Sequence, residues 1–288
     1  MSGKRKLQIS NGHYLDFDHL ARITDALFNQ SSHRLILMKE LEQNTGLPFR
    51  QVRNRVSIAR ALGLINRNKL QLTTLGQLCV THDPFFDTIA CLEFLHFKAS
   101  SRFENLVWYE SFNSLLKEKI MLDYPGWLNY FKTLLLGKYT EHSLRDHLGK
   151  EVRFILDAYL GKNFNKLLLL HEDTSGNIYQ RRYHTVTPLI LCAMIYDFGN
   201  RNETSFFQIS EFADLPGSPA VVFGLDLVSF RQQIEGLHDR GWLKYETTHN
   251  LDQIRLKPHL SAISFLSAHF EGREPSIDSI PNHGDIIK

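Results

Sequence analysis

The sequence predicts a mainly α protein with small β-hairpin wings: a winged helix-turn-helix at the N-terminus, a helical middle, and a second winged-helix-like element at the C-terminus. Three observations carry that expectation. Apolar residues recur at three- and four-residue spacing along most of the chain. Two stretches, residues 64–72 and 243–256, instead place short apolar runs on either side of a polar turn. Each of these follows a helical pattern that a glycine closes, Gly63 in the first case and Gly241 in the second.

The elements follow in order. Asp18 to Phe28 puts Leu20, Ile23, Leu27 and Phe28 at the spacing of a helix with one buried face. Leu35 to Asn44 reads as a second helix, ended by Thr45-Gly46. Pro48 suits the first turn of a third helix, which runs to Leu62-Gly63. Leu64-Ile65, the turn Asn66-Arg67-Asn68-Lys69 and Leu70 to Leu72 form the first hairpin, and Thr73 or Thr74 can cap the helix after it. From Asp83 onward, Phe85, Phe86, Ile89, Leu92, Phe94, Leu95 and Phe97 surround one helix, which marks it as central to a core. Val107 to Lys119, Trp127 to Leu136 and Glu141 to Tyr159 supply further helices, while His171 to Asn177 has loop composition. Leu225 to Arg240 is helical, and Leu243 to Thr248 and Leu251 to Leu256 flank the turn His249-Asn250. The expected division is a winged helix over 1–80, a helical domain over 81–200, a winged-helix-like domain over 201–272 and a flexible tail over 273–288.

Composition narrows the class. Of 288 residues, 43% are hydrophobic and 22% charged, as in an ordinary globular protein. Cys79, Cys91 and Cys192 form no C-x-x-C pair and are odd in number, which argues for a reducing, cytoplasmic setting. Met1 to Lys6 is basic without an apolar stretch behind it, so no signal peptide is expected. The uncharged run Thr185 to Tyr196 is too short for a membrane span, which needs about 20 residues. A Walker loop, a dinucleotide glycine motif, zinc spacing and a nucleophile elbow are all missing from the sequence, which argues against an ATPase or a Rossmann enzyme.

Charge is uneven along the chain. Residues 1–70 hold 12 Lys/Arg against 5 Asp/Glu, and no acid occurs from Gln43 to Leu72. In the third helix Phe49, Val52, Val56, Ala59 and Leu62 form the buried stripe. Arg50, Asn54 and Ser57 fall opposite it, Arg53 and Arg60 lie at its margin, and Gln51 and Arg55 flank the other side. A helix held by one face that presents arginines on another suits the major groove. Arginine clamps phosphate or guanine, and asparagine pairs with adenine. Arg67 and Lys69 would reach the neighbouring backbone from the hairpin tip. The alternative is a solvated basic surface on a winged helix that contacts only proteins. The corresponding C-terminal helix carries the mixed set Asp226, Arg231, Glu235, His238, Asp239 and Arg240, which fits packing or homodimer formation better than DNA.

Two further clusters are candidates. His82, Asp83 and Asp87, with Glu93 and His96 beyond them, could hold Mg²⁺ or Mn²⁺ for phosphodiester hydrolysis, Asp83 and Asp87 being the metal ligands. Against that, Asp83 before Pro84 suits a helix N-cap, and Asp87 suits a first turn. Glu93-x-x-His96 resembles half of a di-iron site, but the sequence has no second copy. Arg181, Arg182 and His184 around Tyr183 could bind phosphate, or form a solvated strand edge.

Leu72-Thr73-Thr74-Leu75-Gly76, Asp83-Pro84-Phe85-Phe86-Asp87-Thr88, Leu92-Glu93-Phe94-Leu95-His96, Trp108-Tyr109 and Phe112-Asn113 occur in the order of one family signature. With the helix after Gly149-Lys150-Glu151-Val152 and the Pro188 helix start, the chain resembles domain of unknown function 4007 over roughly residues 15 to 270. Members of that family occur in bacterial DNA phosphorothioation clusters, beside a cysteine desulfurase, an ATPase and an ATP-pyrophosphatase-like sulfur-transfer enzyme. The resemblance therefore implies a DNA-binding component of a modification and defence system that nicks one strand so that sulfur can enter. Alternatives are a non-catalytic adaptor that recruits those partners, and a transcriptional regulator. The resemblance transfers no catalytic motif residue by residue. His82, Asp83 and Asp87 rest on donor chemistry alone.

Overall fold

Helix α5 (Ile89–Ser100) is the spine of the fold: every residue from Ala90 to Ser100 is buried. Its sequence shows why. Apolar side chains lie on all sides of the helix, so no face is left for water. Thr88 starts it by accepting a hydrogen bond from the Cys91 amide. The computed structural model describes residues 5–29, 37–118, 121–247 and 252–276. Met1 to Lys4, the expected helix start at Leu35, the helix end at Lys119, the turn His249-Asn250 and the tail from residue 277 lie outside the described residues.

At the N-terminal end α1 (Phe17–Phe28), α2 (Met38–Thr45) and α3 (Phe49–Ala61) pack against one another. Leu20 and Ile23 of α1, Leu41 of α2 and Val52, Val56 and Ala59 of α3 are buried together, so the three helices share one apolar seam. Gly46 closes α2 at φ 67°, a conformation that favours glycine. The expected first hairpin is reduced to one antiparallel bridge, Ile65 with Leu72, and its turn is closed by the Asn66 amide donating to the Gln71 carbonyl. The chain enters α4 (Thr74–His82) immediately, capped by Thr73. A Cβ at Gly76 would stand 2.2 Å from the Leu64 carbonyl oxygen, so glycine is what lets α4 lie this close.

The middle is mainly helical. Leu106–Glu110 (α6) passes through a π-helical turn at Ser111–Leu115 into a 3₁₀ turn at Leu116–Glu118. Tyr124–Leu135 is α7. Glu141–Ser143 (α8) continues through a second π-helical turn, Leu144–Leu148, into α9 (Gly149–Leu160). The stretch expected as a loop at His171 to Asn177 is a loop over residues 173–177, the tip of a hairpin in which β1 (Leu170–Glu172) pairs antiparallel with β2 (Ile178–Gln180). Loop composition there reflects the tight turn at its tip, and the flanking apolar residues were too few to signal strands.

Pro188–Arg201 forms α10, followed by β3 (Phe206–Gln208), α11 (Ile209–Asp214), α12 (Pro219–Phe223), α13 (Leu227–Asp239), β4 (Lys244–Glu246) and β5 (Gln253–Arg255). The sheet order is β3-β5-β4, all antiparallel, with Ile254 opposite both Phe207 and Tyr245. The strand β3 is an addition to the expected hairpin, three residues being too short for alternation to show. Finally α14 (Ala262–Glu271) packs along α10 and reaches back to α4. A continuous apolar core therefore runs from Leu7 to Leu266 across all the expected divisions. Among the described residues no helix is long and apolar enough to cross a membrane.

Candidate nucleic-acid interface

Helix α3 sorts its arginines by direction. Arg50 and Arg53 are exposed, one helical turn apart, and neither guanidinium has a hydrogen-bond or ion-pair partner among the described residues. Ser57 continues their stripe, half-buried. Arg60 follows and is half-buried too; its Nε donates to the Asn66 carbonyl at 3.2 Å, which ties the helix to the following turn, and burial lowers its pKa. Beyond it the turn exposes Arg67, ion-paired with Glu104 at 2.7 Å, and Lys69, whose ammonium has no partner among the described residues. With a rise of about 1.5 Å per residue, the stripe from Arg50 to Arg60 is about 15 Å long before it meets the turn.

Two members of the expected DNA-contacting set lie elsewhere. Arg55 is only 2% exposed: its Nη1 donates to the Tyr14 carbonyl at 2.6 Å, and Asp16 lies 3.9 Å away. Burial lowers its pKa, and Asp16 offsets part of that shift. Asn54 is also buried, accepting from the Asn11 side-chain amide at 2.9 Å. The segment 11–16 passes over this flank of α3 and takes both side chains as anchors. Periodicity within α3 could not reveal it, because the covering strip comes from before α1.

His82, Asp83 and Asp87 do not converge. The Asp83 carboxylate accepts from the amides of Asp87 and Thr88 at 2.9–3.0 Å and from the Thr88 hydroxyl at 2.8 Å. It thus holds the loop between α4 and α5; the residue that caps α5 is Thr88, five positions later than expected. Asp87 turns outward to Lys166 at 2.5 Å, and the His82 ring stacks on Phe270, centroids 5.7 Å apart. Among the described residues no group of three His, Cys, Asp or Glu side chains is placed to hold a metal. These three residues do not fit a Mg²⁺ or Mn²⁺ site, since the one buried carboxylate is saturated by donors and its neighbours point apart.

Glu93 and His96 are likewise structural. Glu93 accepts from the Tyr183 hydroxyl at 2.8 Å and from the Thr187 amide, while burial raises its pKa. A directional chain passes through His96. Trp108 Nε1–H donates to the Tyr159 hydroxyl at 2.9 Å, Tyr159 donates to His96 Nδ1 at 2.5 Å, and His96 Nε2–H donates to the Val222 carbonyl at 3.0 Å. Burial pushes the pKa of His96 down to about 3, so the ring is neutral. Asn113 closes a third junction, donating to the Ser100 and Tyr109 carbonyls and accepting from the Gly217 amide. His96, Trp108 and Asn113 of the signature motifs are therefore spent on joining α5, the α6 segment, α9 and the region of α12.

The second basic cluster is divided. Arg182 pairs with Asp226, the N-cap of α13, and with Ser229. Tyr183 turns inward to Glu93, whereas Arg181 and His184 are exposed.

The sequence profile of the family described as Protein of unknown function (DUF4007) matches residues 58–270, which begins within α3. Among solved structures, the fold is similar to a magnesium ion-bound SspB crystal structure, with a TM-score of 0.75 at 15% identity over 95% of this chain and 89% of that one. A second SspB crystal structure gives 0.70 at 14% identity with the same coverage. No curated protein matches the sequence.

Proposed function

Because the chain belongs to the DUF4007 family, we propose that it is the DNA-binding component of a bacterial DNA phosphorothioate modification and defence system, acting in the cytoplasm. The observation that carries the reading is the pair Arg50 and Arg53, exposed and unpartnered among the described residues, on a helix whose other faces are anchored. Such a pair contributes two phosphate contacts without first breaking an ion pair. On this reading α1 to α3 with the turn at 66–69 act as a winged helix, α3 lies in or along a groove, and Lys69 and Arg67 meet the adjacent backbone. Ser57 and Arg60 line the same path. The order helix, strand, three helices, strand, strand from α10 to β5, with β3 beside β5, supports a second winged element. Its partners would be the cysteine desulfurase, ATPase and sulfur-transfer enzyme of the system.

Strand nicking is the second reading, favoured by the same fold in an SspB structure that holds magnesium. It would need donors other than His82, Asp83 and Asp87.

Titration of the full chain against a labelled duplex and its single strand tests the proposal. Salt-sensitive binding supports it, and no binding to either at low salt overturns it. Stable co-purification with the sulfur-transfer partners separates a modification component from a transcriptional regulator, which would instead prefer a single operator.

A further inference from the structure

A cavity of about 760 Å³ opens between the turn at residues 66–69 and the segment 101–104, with Phe198, Arg201 and Asn202 at the end of α10 contributing to its wall. Its charged lining is Arg67, Lys69, Arg102, Arg201 and Glu104. Among the described residues two carboxylates serve this region, and both are committed. Glu104 takes Arg67; Asp197, beneath the cavity, takes Lys98 at 2.5 Å and Arg201 Nε at 2.9 Å. Arg201 spends its remaining nitrogens on the carbonyl and hydroxyl of Ser101, both at 3.1 Å.

Arg102 is different. Its Nε is sealed from solvent without a hydrogen-bond partner, and its guanidinium forms no hydrogen bond or ion pair with any described residue. Burial, together with nearby Arg67 and Arg201, lowers its pKa to about 10 despite Asp197, so it stays charged at neutral pH. Arg102 as a whole is half-buried, so the desolvation falls on Nε, and a charged donor held there without a partner is costly. A guanidinium held so, amid a surplus of positive charge, is what an oxyanion site requires. The cavity volume also lies in the range of small-ligand sites, roughly 300–1,000 Å³.

We propose that this cavity is a phosphate-binding site of the protein, with Arg102 as its central donor and Arg67 and Lys69 at its rim. The ligand is a phosphate group of a nucleic-acid strand, either a backbone diester or a terminal monoester. Arg60 links the turn that walls the cavity to α3, so the site continues the basic stripe. To that extent it rests on the DNA-binding reading.

Isothermal titration of the full chain with inorganic phosphate reads the site without DNA. The wild type binds phosphate saturably, Arg102→Met weakens binding by about tenfold or more, and Arg67→Ala/Lys69→Ala weakens it several-fold. Arg102→Lys restores part of the loss, keeping charge but not the fork. The Arg102→Met protein melts close to or above the wild-type temperature, because the guanidinium of this half-buried residue has no partner to lose among the described residues; a structural role would instead lower the melting temperature and leave phosphate affinity alone. Single-stranded oligonucleotides with and without a 5′-phosphate then identify the source. A preference for the phosphorylated strand that Arg102→Met abolishes indicates a terminal group, and equal losses for both strands indicate backbone. Equal phosphate affinity in wild type and Arg102→Met, or no phosphate binding by the wild type, overturns the site. A wild type that binds phosphate through Arg102 but no oligonucleotide sinks the DNA reading and leaves the site standing.

Discussion

Arg55 Nη1 donates to the Tyr14 carbonyl oxygen at 2.6 Å, and this bond separates the arginines that build α3 into its domain from those that face outward. Tyr14 also places its ring 5.7 Å from the Arg55 guanidinium. The residue is part of the core by position and of the surface only by type. Truncating Arg55 to alanine opens a cavity and strands the Tyr14 carbonyl, at an expected cost of about 2–3 kcal/mol. Arg53→Ala should change stability by no more than about 0.5 kcal/mol. Urea unfolding of the two variants checks the contrast.

Asp83 should behave as a loop brace. Asp83→Ala removes the acceptor shared by the Asp87 amide, the Thr88 amide and the Thr88 hydroxyl. A loss of about 1–3 kcal/mol is expected, equal with Mg²⁺ or with EDTA. His82→Ala and Asp87→Ala should be close to wild type in thermal unfolding. A stabilisation by Mg²⁺ that disappears only in the Asp83 and Asp87 variants would return these residues to metal binding.

The buried His96 makes stability depend on pH with a definite sign. Its folded pKa, about 3, lies below the ordinary value of 6.5, so between these limits the unfolded chain binds the extra proton. Stability from a neutral His96 is complete above pH 6.5 and declines as pH falls towards 3. The slope for one group approaches about 1.4 kcal/mol per pH unit. Comparing His96→Gln with the wild type cancels the other titrating groups: the gap in stability should narrow as pH drops from 6.5 to 4.5. A constant gap would mean that His96 is already solvated or protonated.

Much of the helical order was legible in the sequence because apolar periodicity and glycine stops are local signals. Gly46 ends α2 at a left-handed φ, and Thr73, one of the two threonines expected there, caps α4. What was illegible depends on contacts between distant segments. Arg55 and Asn54 carry the residue types of a groove-reading helix, yet Tyr14 and Asn11 reach them from about 40 positions upstream. Asp83 and Asp87 look like a ligand pair at helical spacing, but the loop between them turns their carboxylates apart, one to Thr88 and the other to Lys166. Arg102 gave no signal: one arginine beside Phe103 and Glu104 looks like any solvated position, and its half-buried place in the wall of the cavity comes from the approach of the 66–69 turn and the end of α10. Arg201 was equally hidden, since Asp197 four residues earlier reads as an ordinary helical pair.

Whether Arg50 and Arg53 grip DNA phosphates is tested most directly by the salt dependence of binding. Affinity for one labelled duplex, measured by fluorescence anisotropy over a series of salt concentrations, should give a log–log slope for Arg50→Ala/Arg53→Ala that is shallower than wild type by about 1.8, two phosphate contacts at about 0.9 each. Identical slopes and affinities in the two proteins would contradict the account.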